Sequence, residues 1–148
     1  MRKLIVILLA TLSFSCSKDL EQGEDSLMGA WDVVFAETVP INFGNRLPAD
    51  QGNLGTFTFR DDVMDYFFVH NQDTIMGSTP WLLTLDKERQ GFYRTNSFTL
   101  KLESFLDFKV NFEDQTRNAE KDAREIELIE DVGLNPNVDY LILKLNKQ

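Results

Sequence analysis

One histidine, one cysteine and a few groups of carboxylates are the residues of this 148-residue sequence whose types and spacing suggest chemistry. His70 closes the apolar run Tyr66-Phe67-Phe68-Val69. To act as a general base or a metal ligand it needs partners, and its surroundings in the sequence offer none. There is no G-x-S-x-G elbow, and Gly77-Ser78-Thr79 lacks that form. A lone histidine at the end of a strand reads as a surface or hydrogen-bonded residue. Asp61, Asp62 and Asp65 carry oxygens suited to calcium, but the loop glycine and the distal bidentate glutamate of an EF-hand are missing, so they read as turn formers and solvated charges. Glu125, Glu127, Glu130 and Asp131 make a dense acidic run. Paired carboxylates hydrolyse glycosides, yet alternation along an extended chain puts Glu125 and Glu127 together on a wet face. With no phosphate-binding glycine loop either, the expectation is a protein with no catalytic residues, no metal site and no cofactor. A carboxylate enzyme is the distant alternative, and its turnover would respond to Glu125 or Glu127.

Cys16, the only cysteine, follows an apolar run and precedes an acidic one. Residues 1–15 begin with Arg2 and Lys3, continue as Leu4 to Leu12 and end in small Ser13 and Ser15 around Phe14, the order of a secretory signal peptide. About nine apolar residues rise only ~14 Å as a helix, too short for a bilayer core. A cysteine directly after such a leader resembles the lipobox of bacterial lipoproteins, and "SCSKD" is similar to leaders of the Bacteroidota type, although Ser13 stands where an aliphatic residue is usual and Leu12 lies one place further back. The resemblance implies cleavage before Cys16, acylation of its thiol and attachment to the outer membrane, on its periplasmic face or at the cell surface. Several acyl chains, at about 0.8 kcal/mol per buried methylene, hold durably. With Cys16 acylated no intrachain disulfide is available, so stability must come from packing. Residues 16–28 read as a lipidated cysteine and a flexible acidic tether.

The elements that would position any site are short strands. The chain has room for one domain, placed at 29–148, and a 43% hydrophobic share with twelve phenylalanines supplies a core. A formal net charge of −9 and the absence of a basic cluster after residue 3 exclude nucleic acid and a basic membrane patch. From Gly29 onward, apolar residues alternate with polar ones, most cleanly in Asp107 to Glu113, Thr56 to Arg60, Phe98 to Glu103 and Tyr140 to Leu145. Less regular candidates are Trp31 to Val39, Met64 to His70, Trp81 to Leu85 and Arg124 to Ile129. Asp61-Asp62, Asn71-Gln72-Asp73 and Asn135-Pro136-Asn137 punctuate them as turns. Residues 116–130 fit either helical or strand spacing, and the choice between them stays open. The pattern predicts an all-β, antiparallel, up-and-down barrel of eight strands with at most one short helix, closure removing the exposed edges.

Gly29-Ala30-Trp31, at the head of the first strand after "SLM", is a G-x-W that resembles the lipocalin superfamily, and "GAWDVVFAE", "GTFTF" and "YLILKL" are similar to the small lipocalin-like domains of bacterial lipoproteins. The resemblance spans Gly29 to Gln148. It implies that Gly29 turns the chain in, that Trp31 plugs the closed end of the barrel, and that a basic side chain from a late strand lies over it, for which Arg124 is the candidate. The long connection Ile41 to Gly55 corresponds to the lid of such barrels. An eight-stranded interior is filled by side chains or holds one small ligand. If a cavity is open, Phe57, Phe59, Trp81, Leu100, Phe108 and Phe112 are the inward positions expected to line it. Two functions follow: binding of a small hydrophobic or amphiphilic ligand without catalysis, or a filled barrel that presents its loops and acidic face to an envelope protein or glycan.

Overall fold

The computed structural model describes residues 19–40, 47–90, 93–112, 123–133 and 138–148, with backbone alone for 86–90 and 93–96. The leader, Cys16 and the part of the 116–130 segment before residue 123 lie outside the described residues. A short helix, α1 (19–27), leads into eight strands: β1 (Gly29–Val39), β2 (Asp50–Phe59), β3 (Val63–His70), β4 (Asp73–Gln90), β5 (Tyr93–Leu102), β6 (Phe108–Phe112), β7 (Glu125–Glu130) and β8 (Tyr140–Lys147). Each pairs antiparallel with the next, and β8 pairs with β1, so the sheet closes as the up-and-down barrel that the alternation predicts. The register shows why the alternation was so legible. Phe108, Val110 and Phe112 of β6 are all buried, as are Leu141, Leu143 and Leu145 of β8, while the residues between them are more exposed.

Two irregularities shape the interior. Between Val33 and Phe35, β1 carries one extra residue against β8, while against β2 the pairing skips from Gly55 to Gln51. Such a bulge re-aims the chain beyond it. The inward face therefore changes from Trp31 and Val33 to Ala36 and then Thr38. Gly55 makes the second. Its φ is +153°, and a Cβ there would stand 2.0 Å from the Phe67 carbonyl oxygen, so only glycine lets β2 approach β3 this closely.

β4 runs for 18 residues because it serves two neighbours in succession. Residues 73–80 pair with β3 and residues 81–90 with β5. Trp81 stands at that corner, its Nε1 donating to the Arg60 carbonyl at 2.7 Å and its ring meeting Phe59 edge-on at 5.4 Å.

The two ends of the barrel differ. At one, α1 lies across the opening: Leu27 is wholly buried, Leu20 packs on the core, and Gly23 rests so near Phe98 and Leu83 that a Cβ would come within 2.8 Å and 2.9 Å of them. The acidic stretch expected to be a flexible tether over 16–28 is thus helical from residue 19 to residue 27 and part of the packed domain. The far end carries the β1–β2, β3–β4, β5–β6 and β7–β8 connections. Among them Asn71 and Gln72, both at positive φ (52° and 69°), form the two-residue turn of a hairpin.

Candidate functional site at the far end of the barrel

Five of the six expected inward positions lie in the core: Phe57, Phe59, Leu100, Phe108 and Phe112 are nearly or wholly buried. Their rings touch. Phe57 meets Phe68 at 5.6 Å, Phe98 meets Phe112 at 5.4 Å edge-on, and Phe105, from the β5–β6 connection, lies 5.9 Å from Phe108. The sixth, Trp81, is half-buried at the β4 corner described above and braces the wall. Nearer the far end, Tyr66 and Phe105 stack at 4.7 Å and 20° between planes, and both are half-buried, packed on the buried floor of Phe57, Phe68 and Phe108. Tyr66 has room to lie flat because Gly77 opposes it; a Cβ there would meet the phenol oxygen at 2.5 Å.

The residues expected at a plug lie at the capped end. Trp31 is fully buried, its Nε1 donates to the Leu27 carbonyl at 2.7 Å, and Gly29, at a φ of +108°, turns the chain from α1 into β1. The cation over the indole is Lys147, at 5.3 Å, and not Arg124, whose side chain is exposed. The reason is register: β8 sets Lys147 directly opposite Trp31, while Arg124 precedes β7 and gives only its backbone carbonyl to the Lys147 amide. Lys147 Nζ also donates to the Ser26 carbonyl at 3.0 Å, tying β8 to α1.

Sequence reasoning set His70 aside, and the fold gives it partners. Its inward row on β3 runs Met64, Tyr66, Phe68, His70, which places the imidazole at the far end above the aromatic floor. The side chain is only 7% exposed. His70 Nδ1 lies 2.8 Å from Asp50 Oδ2, and the same oxygen accepts the Asn71 amide N–H at 2.8 Å. On the other side of the ring, Thr38 Oγ1 lies 2.8 Å and Asn71 Nδ2 3.0 Å from His70 Nε2. The Asn71 backbone N–H, and after it the His70 ring, hold the Asp50 carboxyl below the usual aspartate range. An ionised carboxylate can only accept, so Nδ1 carries the proton. In the neutral ring Nε2 is then a lone pair, for which the Thr38 hydroxyl and the Asn71 amide N–H are both donors, Thr38 the nearer.

No family model, curated protein or solved structure matches the chain.

The other candidate carboxylates sit as solvated or paired charges. Asp61 and Asp62 are exposed in the β2–β3 turn, and Asp65 pairs with Arg60. Glu127 lies on the outer face, accepting from Asn111 Nδ2 at 3.2 Å with Lys144 at 3.8 Å. Among the described residues no group of three or more His, Cys, Asp or Glu side chains is placed to hold a metal ion.

What sequence reasoning missed is the set Thr38, Asp50 and His70. Asp50 stands 20 residues from His70 and Thr38 stands 32, and no local motif joins them. Thr38 and His70 lie at or next to the ends of two expected strands, but Asp50 falls in the expected long connection between the first two, so no sequence signal joined the three.

Proposed function

We propose that this chain is a membrane-anchored cell-envelope lipoprotein whose barrel binds a small hydrophobic or amphiphilic ligand through its far end. The anchor rests on the leader and Cys16 in the sequence; acyl chains there would hold the domain at the outer membrane. The observation that carries the binding reading is the half-buried, stacked pair Tyr66 and Phe105, which packs on a buried aromatic floor, Tyr66 on the same strand row as His70. Apolar rings left partly uncovered inside a barrel offer a surface for an acyl or aromatic group, and polar groups beside them suit its head. Titrating the full chain, in mild detergent, with a fluorescent fatty acid tests this. Binding should saturate, and Phe105→Ala should weaken it about tenfold, the equivalent of ~1.4 kcal/mol. Unchanged affinity in that variant would remove the ligand from this end.

A second reading draws on the outer wall. Phe67 and Met76 lie directly opposite each other on β3 and β4 and are 46% and 65% exposed, with Val69 beside them at 37%. Adjacent exposed apolar side chains suit a protein partner. That reading fits a filled barrel acting as an interaction module in the envelope. Phe67→Ser should abolish capture of such a partner and leave fatty-acid binding unaltered.

A further inference from the structure

The far-end cluster has the order, spacing and tautomer of a nucleophilic relay. Hydroxyl, imidazole and carboxylate follow one another as Thr38 Oγ1, His70 Nε2 and Nδ1, and Asp50 Oδ2, at 2.8 Å and 2.8 Å. Such constellations are recognised by geometry and roles, and they recur on unrelated folds and in any chain order. Asp50 spends one oxygen on two N–H donors, which fixes the ring's orientation and leaves the lone pair of Nε2 toward Thr38. His70 is shielded from solvent, while Thr38 is half-buried, so the base is protected and the hydroxyl can be reached. The β1 bulge turns Thr38 inward, next to the end of its strand and opposite Leu141 of β8. The Asn71 side-chain amide, 3.0 Å from the same Nε2, shares that lone pair with the Thr38 hydroxyl until substrate enters.

We propose that Thr38 and His70, positioned by Asp50, hydrolyse a carboxylic ester of the amphiphile that the barrel takes up; the inference rests on the binding reading above. Thr38 Oγ1 attacks the ester carbonyl carbon. The new C–O bond forms as the carbonyl π pair moves to oxygen, and the hydroxyl proton passes to His70 Nε2. When the tetrahedral adduct collapses, the bond to the alcohol breaks and the alcohol leaves with that proton. Water then gives a proton to Nε2, its oxygen adds to the acyl carbon, and the bond to Thr38 Oγ1 breaks as the proton returns to it. The sum is ester plus water to acid plus alcohol, with no change of oxidation state. His70 and Thr38 are the catalytic residues, and Asp50 is a positioning residue.

The test uses the full chain in mild detergent with p-nitrophenyl butyrate and octanoate, alongside the fatty-acid titration. Saturable release of nitrophenolate is expected. Thr38→Val and His70→Gln should each lower it at least about a hundredfold, and Thr38→Ser should retain it. Asp50→Asn should lower the rate and displace its pH profile, which a carboxylate that merely braced the strands would leave in place. An alkyl fluorophosphonate should add covalently to Thr38, as located by peptide mass mapping. Should Thr38→Val fail to fold, the adduct and the Thr38→Ser variant decide the matter. Undiminished hydrolysis in a folded Thr38→Val protein, or an adduct elsewhere, overturns the proposal. Fatty-acid binding without turnover overturns the hydrolysis and spares the binding; absence of both overturns both.

Discussion

Replacing Leu27 by Ala asks whether α1 is structure or tether. The side chain is 0% exposed and belongs to the central cluster with Trp31, while the hydrogen bond from the Trp31 indole goes to the Leu27 backbone carbonyl and survives the substitution. The perturbation is therefore purely apolar: three carbons leave a filled site. Large-to-small core changes of this type cost about 2–5 kcal/mol, depending on how far the site collapses. Lys147 anchors the last turn through Ser26, and Gly23 is wedged against Phe98 and Leu83, so α1 has little freedom to settle into the void. A loss near 3 kcal/mol follows, out of a total stability of about 5–15 kcal/mol. Alanine's better helix propensity than leucine's is a far smaller term. Urea unfolding followed by tryptophan fluorescence measures the difference, with the slope m unchanged if the denatured ensemble is the same. A loss below about 0.5 kcal/mol would refute the reasoning, because it would mean that α1 spends its time off the barrel as the sequence-based tether expectation had it.

Three further substitutions probe other parts of the account. Gly55→Ala should destabilise by at least about 2 kcal/mol in the same unfolding assay, since its Cβ has only backbone atoms of β3 to displace and the positive φ is strained for any L side chain. Phe108→Ala should cost roughly 3–5 kcal/mol if the middle of the barrel is filled, as its burial indicates; a loss under ~1 kcal/mol would reveal an open lumen around it. The depressed Asp50 carboxyl sets an acid limb: its contribution to stability is complete above the ordinary aspartate value of about 3.9 and is lost as pH falls through the lower folded-state value. Asp50→Asn should flatten that limb, and an unchanged acid transition would separate Asp50 from it.

The parts of the fold legible in the sequence are those where one face of a strand is wet and the other buried. β6 and the end of β2 alternate strictly and lie where expected. The first half of β4, Asp73 to Pro80, has no such pattern because it runs beyond the β5 pairing: Met76, Gly77 and Ser78 are all exposed, so no apolar period is imposed on it. The start of β2 was hidden by Gly52 and Asn53, which read as loop and in fact sit in the irregular pairing opposite the β1 bulge. α1 was missed because its acidic residues dominate. Its seat is Leu20, Gly23, Ser26 and Leu27, a helical spacing in which the glycine reads as flexibility but serves as the point of closest approach. Arg124 in place of Lys147 was an error of register that strand pairing alone resolves. The Thr38–His70–Asp50 cluster was illegible for a deeper reason: its residues meet only after three strands pair and a bulge reverses the face of one of them.

The central claim is that this barrel is a container for a small apolar or amphiphilic molecule. Native mass spectrometry of the full chain, released gently from detergent after purification from cells, tests it most directly. The account predicts a bound mass that disappears on denaturation and is lost or reduced in Phe105→Ala. A protein that flies at its own mass, with no added fatty acid retained under the same conditions, would contradict it and leave the barrel as a filled scaffold.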